Sequence, residues 1–360
     1  MDAMQKLGWN SDVEVRFQPY REAGFEAGRV AVENRDKNVV LTGGGAYFAE
    51  ATGKLLYQAQ SASDLPKVGD WAAITLFEDE GKAIIHAVLP RRTKFSRKAA
   101  GPKTEEQVIA ANLDTVFIVQ GLDHNFNLRR LERYLVMVYE GGIEPAIVLN
   151  KADICPDLKE KLALVKTVAQ NVPIIPLSAK TCQGLPQLED FLREGLTYAL
   201  VGSSGVGKST LINALIGEEV LKTREVRISD SRGRHTTTRR ELIALPSGAL
   251  LIDTPGMRGF QLWNTEEGMD ETYAEIKTLS EGCFFADCTH TAERGCAVLQ
   301  AVEEGRLARD RYESYLKLNK ELAYLEQKVD KQAHLEKKRK DKELHRAIKA
   351  WKKLRKGGKP

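Results

Sequence analysis

The chain has 360 residues, of which 42% are hydrophobic and 29% charged, and its formal net charge is +4 at pH 7. This composition supports at least one buried core, and the length predicts two or three domains. No apolar run reaches the roughly 18 residues of a membrane-spanning helix, and the N-terminus lacks a basic segment followed by an apolar one. We therefore expect a cytoplasmic monomer without membrane contact.

The charge is unevenly distributed along the chain. Residues 331–360 contain 13 lysines and arginines and three acidic residues, a net charge of +10, so the first 330 residues carry −6. Such a basic tail is typical of nucleic-acid binding through phosphate neutralisation, but it equally suits a solvated helix face. Both interpretations stay open from the sequence.

The predicted elements indicate a multi-domain α/β protein. Short β-like segments such as "GRVAVEN" and "FAEATGKLLY" predict a small all-β module in residues 25–90, and the polar, basic stretch 91–113 is typical of a linker or mobile loop. From Asp114 strands alternate with helices, which predicts a mostly parallel sheet with helices on both faces. The predicted divisions are an extension, the β module with its linker, the α/β domain, a cysteine-containing helical region and the basic tail: 1–24, 25–100, 101–270, 271–330 and 331–360.

The helical region carries an apolar stripe at spacings of three and four. Two heptads are too short for a stable coiled coil, so we expect this helix to pack on the body of the protein. The stripe consists of Tyr315, Leu318, Leu322, Leu325 and Val329.

A phosphate-binding loop is predicted at "GSSGVGKS", which matches G-x-x-x-x-G-K-S/T and lies between an apolar strand and a helix. Glycines in the loop allow backbone N–H groups to wrap a β-phosphate. Lys208 would bridge the β- and γ-phosphates, and the Ser209 hydroxyl would bind Mg²⁺. The residues assigned to nucleotide binding here are Gly202, Ser203, Ser204, Gly205, Val206, Gly207, Lys208, Ser209 and Thr210.

Two further stretches follow the loop in the order expected of a nucleoside triphosphatase. The strand "LLIDTPG" ends in Asp253, which would reach Mg²⁺ through water, and in Gly256, whose N–H would meet the γ-phosphate. Between loop and strand, "RGRHTTTRREL" offers three threonines, of which we favour Thr237 as a Mg²⁺ ligand. Adjacent hydroxyls are also ordinary turn chemistry, so this assignment depends on position rather than composition.

The base is predicted to be guanine from "NKAD" and "PLSAK". The Asp153 carboxylate accepts from both the ring N–H and the exocyclic amine of guanine, a pair of donors that adenine does not present. Asn150 would meet the other edge of the base, and Lys151 would lie against the loop and the ring. Ser178, Ala179 and Lys180 would supply a backbone N–H to the guanine oxygen. An ATP-dependent enzyme is therefore disfavoured.

The order of these motifs is unusual, because the guanine motifs precede the phosphate loop. Sheet assembly depends on which strands are neighbours and not on where the chain begins, so this order predicts a circular permutation that leaves the pocket intact. The segment after "DTPG" then leads directly into the cysteine region, and we expect nucleotide state to be transmitted there.

The cysteine region predicts one structural zinc ion. Cys283, Cys288, His290 and Cys296 form C-x4-C-x-H-x5-C, three thiolates and an imidazole that complete a closed tetrahedral site. The alternative is a cysteine-rich loop without metal. The other two cysteines are expected to be incidental.

Together these stretches resemble the ribosome small-subunit-dependent GTPase A family of circularly permuted bacterial GTPases. The resemblance extends from about Gly28 to the cysteine cluster and includes "VGDWA", "GSSGVGKSTLINAL", "GRHTTTRREL", "LIDTPGMR" and "CFFADCTHTAERGC". It implies an N-terminal OB-fold, a permuted GTPase domain, a C-terminal zinc-binding domain, and action on the 30S ribosomal subunit and its 16S rRNA in late maturation.

Hydrolysis would need a residue that orients water, because Met257 occupies the position where many GTPases carry a glutamine. His235, beside the threonines, is our candidate, and the resemblance implies the same residue. Arg232 and Arg234 are weaker candidates for transition-state charge. The rival hypothesis is an RNA-binding assembly scaffold in which nucleotide is only structural, and intact Lys208 disfavours it.

Contacts with RNA are less well marked in the sequence. Tyr47 and Phe48 are candidates for stacking on bases, and equally for the core of the barrel. The clustered basic residues of the predicted linker are better candidates for phosphate contacts. They are Arg91, Arg92, Lys94, Arg97 and Lys98.

Overall fold

The computed structural model describes residues 2–34, 37–99, 105–217, 240–253, 262–263 and 266–329. Its first five strands close into a barrel, in the order β1-β2-β3-β5-β4 with β4 pairing back onto β1. Alternate side chains fill the interior, and Val30, Ile74 and Ile85 are fully buried there. This arrangement confirms the OB-fold. The strands are β1 Glu26–Val32, β2 Asn38–Thr42, β3 Gly45–Ala51, β4 Trp71–Phe77 and β5 Lys82–Val88.

The stretch "FAEATGKLLY" does not continue as a strand. β3 ends at Ala51, and helix α3 (Gly53–Gln58) follows, with the Thr52 hydroxyl accepting from Leu55 N at 3.1 Å. A threonine side chain that satisfies an unpaired helical N–H fixes a helix start. The cap explains why the chain forms a helix here instead of the predicted strand. The β propensity of the residues gave no sign of this cap.

The first residues pack against the barrel as two helices, α1 (Ala3–Lys6) and α2 (Ser11–Glu22). The Asn10 side chain accepts from Val13 N at 3.0 Å and starts α2. Val13 and Phe17, one helical turn apart, bury their side chains against Trp71.

The predicted linker is a β-hairpin, not a loop. β6 (Lys94–Lys98) pairs antiparallel with β7 (Glu106–Ala111). Phe95 is fully buried, but the other side chains of β6 are polar, so alternation was too weak to reveal the strand.

Most of the basic side chains of this segment bond to other residues of the protein. Arg91 pairs with the buried Asp70 at 2.8 Å, so it is unsuited to contact phosphates. Arg92 bonds to Asp114, and Lys94 lies 2.7 Å from Glu106. Arg92 and Lys94 are exposed on the surface, so their contact with phosphates stays a prediction. Arg97 bonds to Gln107, and Lys98 is half-buried.

A second group of strands forms the α/β domain, with the spatial order β10-β9-β8-β11-β13-β12. The first five run parallel, β12 is antiparallel to β13, and β12 joins the barrel through the pair Val32 and Glu241. The strands are β8 Thr115–Gly121, β9 Glu144–Asn150, β10 Ile174–Pro176, β11 Thr197–Val201, β12 Glu241–Ala244 and β13 Leu250–Asp253.

Helices cover both faces of this sheet, as predicted. Successive residues of β8 belong to different cores: Val116 and Ile118 pack on one side, Phe117 and Val119 on the other. A strand buried on both faces reads as a continuous apolar run. The helices are α4 Leu128–Glu140, α5 Leu158–Val168, α6 Leu185–Glu189 and α7 Lys208–Ile216.

The C-terminal region packs against α4. Leu318, Leu322 and Leu325 are at most 9% exposed, which confirms that the apolar stripe covers the body, whereas Val329 is 37% exposed. The helices here are α8 Glu266–Thr272, α9 Ala274–Ser280, α10 Ala297–Glu303 and α11, which covers residues 309–329.

A buried ionic cluster fixes α4 to this region. Glu132 is fully buried, and its carboxylate accepts from Arg311 at 2.7 Å and from the Ser314 hydroxyl at 2.6 Å. Tyr273 and Arg129 also donate to it. A buried carboxylate is tolerated only when its oxygens are paired in this way, so the cluster sets where α4 meets the C-terminal helices. No helix among the described residues is long and apolar enough to cross a membrane.

Candidate nucleotide site and metal centre

The phosphate loop follows β11 and leads into α7, as predicted. Gly207 has φ +95°, and a Cβ on it would come within 2.3 Å of Asn150 Nδ2, so only glycine fits. Lys208 Nζ donates to the carbonyl oxygens of Gly202 and Ser203 at 2.6 and 2.9 Å. Burial lowers the pKa of Lys208, while Asp253 opposes the shift. A half-buried ammonium at a glycine-rich turn before a helix is suited to bind an anion.

Asn150 joins the three predicted recognition segments. Its Nδ2 donates to Val206 O at 2.8 Å, and its Oδ1 accepts from Ala179 N at 2.9 Å. The side chain is 2% exposed. From the sequence we expected the Asn150 side chain to contact the second edge of the base. In the structure its amide links the phosphate loop to the "SAK" turn. A contact with the base stays a prediction.

Lys151 lies against the phosphate loop, as predicted, with Nζ 2.6 Å from Gly205 O. It also bonds to Asp123 at 2.8 Å. Burial opposes ionisation of Asp123, but hydrogen bonds from Lys151 and from Asn125 N lower its pKa to about 2. Lys151 has φ +68°, an uncommon conformation without glycine, and such backbone strain concentrates at functional sites.

The residues predicted to read guanine lie at the same edge of the sheet. Asp153 follows β9 and is exposed. Ser178 is fully buried, and its hydroxyl accepts from Thr181 N at 3.2 Å. Ala179 N–H already donates to Asn150, and Lys180, the next residue of this turn, is exposed.

The metal-binding side of the pocket is described in part. Ser209 and Thr210 are exposed in the first turn of α7, and Asp253, which ends β13, is close enough to Lys208 to act on its pKa. The remaining predicted residues lie outside the described residues: Thr237, His235, Gly256, Met257, Arg232, Arg234, Thr236 and Thr238.

Two residues at the pocket were missed in the sequence. Asp123 positions Lys151, and Arg130 of α4 donates from Nη1 to Ser203 Oγ at 2.7 Å. The available signal was the polar run "GLDHNFN" directly after β8, because ligands bind at the carboxyl ends of parallel strands.

The four predicted zinc ligands converge. Their ligand atoms all lie within 4.8 Å of one another. Cys283 Sγ is 3.9 Å from Cys296 Sγ and 3.6 Å from His290 Nδ1, and Cys296 Sγ is 3.5 Å from His290 Nδ1. A zinc tetrahedron requires about 3.8 Å between sulfurs and about 3.5 Å between sulfur and nitrogen.

Cys288 and His290, two of the four ligands, have shifted pKa values. Burial and hydrogen bonding with the neighbouring thiols raise the pKa of Cys288 to about 11, because several thiolates cannot share so small a volume unaided. Burial lowers the pKa of His290, which favours the neutral, metal-binding imidazole. The residues therefore fit Zn²⁺ in geometry and in the chemistry of their ligand atoms.

The two remaining cysteines lie outside this cluster. Cys155 bonds to Asp157 at 3.3 Å, and Cys182 is exposed. Neither approaches the four ligands, which agrees with the expectation that they are incidental.

Comparison with known proteins gives a consistent result. A family model described as RsgA GTPase matches residues 88–263, and one described as 50S ribosome-binding GTPase matches residues 197–348. A small ribosomal subunit biogenesis GTPase RsgA from Opitutus terrae is 45% identical over 336 residues, which cover 91% of this chain and 92% of the relative.

Two further proteins extend the comparison. The small ribosomal subunit biogenesis GTPase RsgA 2 of Lactiplantibacillus plantarum is 47% identical over 304 residues, 84% of this chain and 85% of its own. The crystal structure of YjeQ from Thermotoga maritima matches with a TM-score of 0.61 and 28% identity, over 82% of this chain and 98% of that chain. Identity at this level across nearly the whole length, with the permuted motifs gathered in one pocket, places the chain in the RsgA GTPase family.

Proposed function

We propose that this protein hydrolyses GTP on the 30S ribosomal subunit, assists the late maturation of that subunit, and is released by hydrolysis. The observation that carries the proposal is the junction at Asn150, where one side chain binds the phosphate loop and the "SAK" turn within 2.9 Å. The segments proposed to bind guanine and the loop proposed to bind the triphosphate thus lie in one pocket. The names of the relatives identify the small ribosomal subunit as the partner. A protein that acts on this subunit is expected in the cytoplasm.

In this proposal each segment has one task. Asp153 and the Lys180 amide read guanine, Lys208 binds the β- and γ-phosphates, and Ser209 with Thr237 holds Mg²⁺. One Zn²⁺ on the Cys3His cluster stabilises the C-terminal region. Mg²⁺ supplies charge neutralisation at the phosphates when bound.

The barrel is the proposed surface for 16S rRNA. Phe48 is 62% exposed, whereas Tyr47 packs against the barrel core. Phe48 pairs with Lys82 across β3 and β5, and Lys82 pairs with Phe77, which is 42% exposed. Lys82 pairs with Glu80 at 2.8 Å on the exposed surface, and the two exposed aromatic rings beside it suit stacking of unpaired bases.

GTP turnover with purified ribosomal particles tests the function. We expect slow basal hydrolysis, because Met257 cannot orient water, and strong stimulation by 30S subunits but not by 50S subunits or 70S ribosomes. Phosphate release over many turnovers is the measurement, with ATP as the control nucleotide. Equal stimulation by 50S subunits would contradict the assignment, and binding to 30S without turnover would favour the scaffold hypothesis.

His235 is the proposed water-orienting residue. We expect His235→Ala to lower 30S-stimulated turnover by about 100-fold, at the lower end of general acid-base contributions, while GTP affinity is retained. Stopped-flow phosphate release and equilibrium GTP binding measure the two effects. His86→Ala, in the barrel and bonded to Thr75, is the matched control. Full stimulated activity in His235→Ala would remove this residue from the mechanism.

A further inference from the structure

Arg130 differs from the other arginines of α4. Arg129 pairs with Asp310 at 2.5 Å, and Arg133 pairs with Glu321 at 2.6 Å. The Arg130 guanidinium donates instead to a neutral group, Ser203 Oγ, at 2.7 Å. Within the part of the chain that the structure describes, no carboxylate oxygen lies within 4.0 Å of its nitrogens. Its charge is therefore not compensated there by an acidic side chain.

The contact places this charge at the phosphate loop. Ser203 accepts from Arg130 through its hydroxyl and from Lys208 Nζ through its carbonyl oxygen, the latter at 2.9 Å. Two cations thus meet on one neutral residue. Like charges repel, and a negatively charged phosphate group bound beside both cations would offset that repulsion.

The helix holds Arg130 in this position. Asn127 caps α4, and its side chain accepts from Arg130 N at 2.9 Å. Two residues after Arg130, the buried Glu132 ties the helix to Arg311. The cap and the Glu132 pair fix this part of α4, so the backbone that carries the charge does not have to reorganise when a ligand binds. Electrostatic catalysis depends on charges that are held in place in this way.

We propose that Arg130 is a further catalytic residue of the GTPase reaction. When GTP is bound, the guanidinium exchanges the Ser203 hydroxyl for an oxygen of the γ-phosphate, because bonds to ionised acceptors are roughly twice as strong as those to neutral ones. Water attacks the γ-phosphorus as the bond to the bridging β-phosphate oxygen breaks, and the electron pair of that bond stays on GDP. The water oxygen and one of its protons end on inorganic phosphate, and the other proton is released to solvent. Arg130 stabilises the negative charge that collects on the transferred group and on the leaving oxygen. This inference rests on the proposed GTPase function.

The test compares Arg130→Ala with the unaltered full-length protein. We expect kcat to fall by about 100-fold with and without 30S subunits, less than the 10³ to 10⁵ attributed to arginine fingers because Lys208 already neutralises part of the charge. Affinity for GDP should stay within about threefold, since GDP lacks the γ-phosphate. A purely structural role predicts that GDP affinity and turnover fall together.

A double-mutant cycle separates direct action from support of the loop. If Arg130 acts only by holding Ser203, then Arg130→Ala produces no additional loss in a Ser203→Ala background. The proposal predicts the same loss, about 100-fold, in both backgrounds, because the γ-phosphate contact does not need the hydroxyl.

Arg133→Ala is the matched control, since it removes an arginine of α4 whose partner is Glu321. We expect lower thermal stability and an unchanged kcat. The proposal is overturned if Arg130→Ala keeps its kcat, or if the double mutant shows no additional loss. An unaltered protein that does not hydrolyse GTP at all would instead refute the proposed function.

Discussion

Replacement of Asp153 by asparagine is expected to lower the affinity for GTP about 1,000-fold and to raise the affinity for xanthosine triphosphate. The carboxylate accepts from two guanine donors, whereas an asparagine amide would set its own donor against the exocyclic amine. Xanthine carries a carbonyl oxygen there, so donor and acceptor match again. Fully buried recognition of this kind discriminates by 10⁴ to 10⁵, and the smaller effect reflects the exposure of Asp153.

Equilibrium titration with the two triphosphates measures this preference. The control is Asp157→Asn, four residues further on, because Asp157 pairs with Lys161 at 3.0 Å and lies outside the pocket. Its preference for GTP should equal that of the unaltered protein. Unchanged GTP affinity in Asp153→Asn would show that the base is read elsewhere.

Loss of the metal is expected to unfold the C-terminal region. Structural zinc contributes roughly 10 kcal/mol or more to small domains, and here part of the region also packs on α4, so we expect Cys296→Ser to cost several kcal/mol. The measurements are zinc content per chain and thermal unfolding. Zinc affinity should fall as the pH is lowered, because each thiol must lose a proton to bind.

A cysteine outside the cluster supplies the control for this experiment. Cys182 is exposed, and we expect Cys182→Ser to retain one zinc per chain and the original melting temperature. The zinc assignment fails if Cys296→Ser keeps a full equivalent of metal, or if chelation of the unaltered protein leaves unfolding unchanged.

The sequence predicted the motifs well, because their chemistry is local. The phosphate loop needs a strand, a glycine-rich turn and a helix in succession, and all three are adjacent in the chain. The zinc ligands lie within 14 residues. Asp253 was recognisable for the same reason, since it ends an apolar strand.

Two features of the predicted linker could not be recognised from the sequence, namely its hairpin and the ion pair of Arg91. The hairpin of β6 and β7 has polar side chains around the buried Phe95. Arg91 looked like a phosphate-binding residue because its partner, Asp70, is 21 residues away. From the sequence alone, a basic residue in a polar stretch is interpreted as solvent-exposed. Only the structure shows that a buried acidic residue pairs with it.

The sequence by itself determined which motifs are present: a carboxylate predicted to read guanine, a phosphate loop, a Cys3His set, and their permuted order. The tertiary structure alone decided how side chains distant in the chain share their hydrogen bonds. Asn150 became a clamp between segments, Asp123 a partner of Lys151, and Arg130 a cation at Ser203. Motif chemistry depends on neighbours along the chain, whereas these roles depend on neighbours in space, which only the packing of strands and helices brings together.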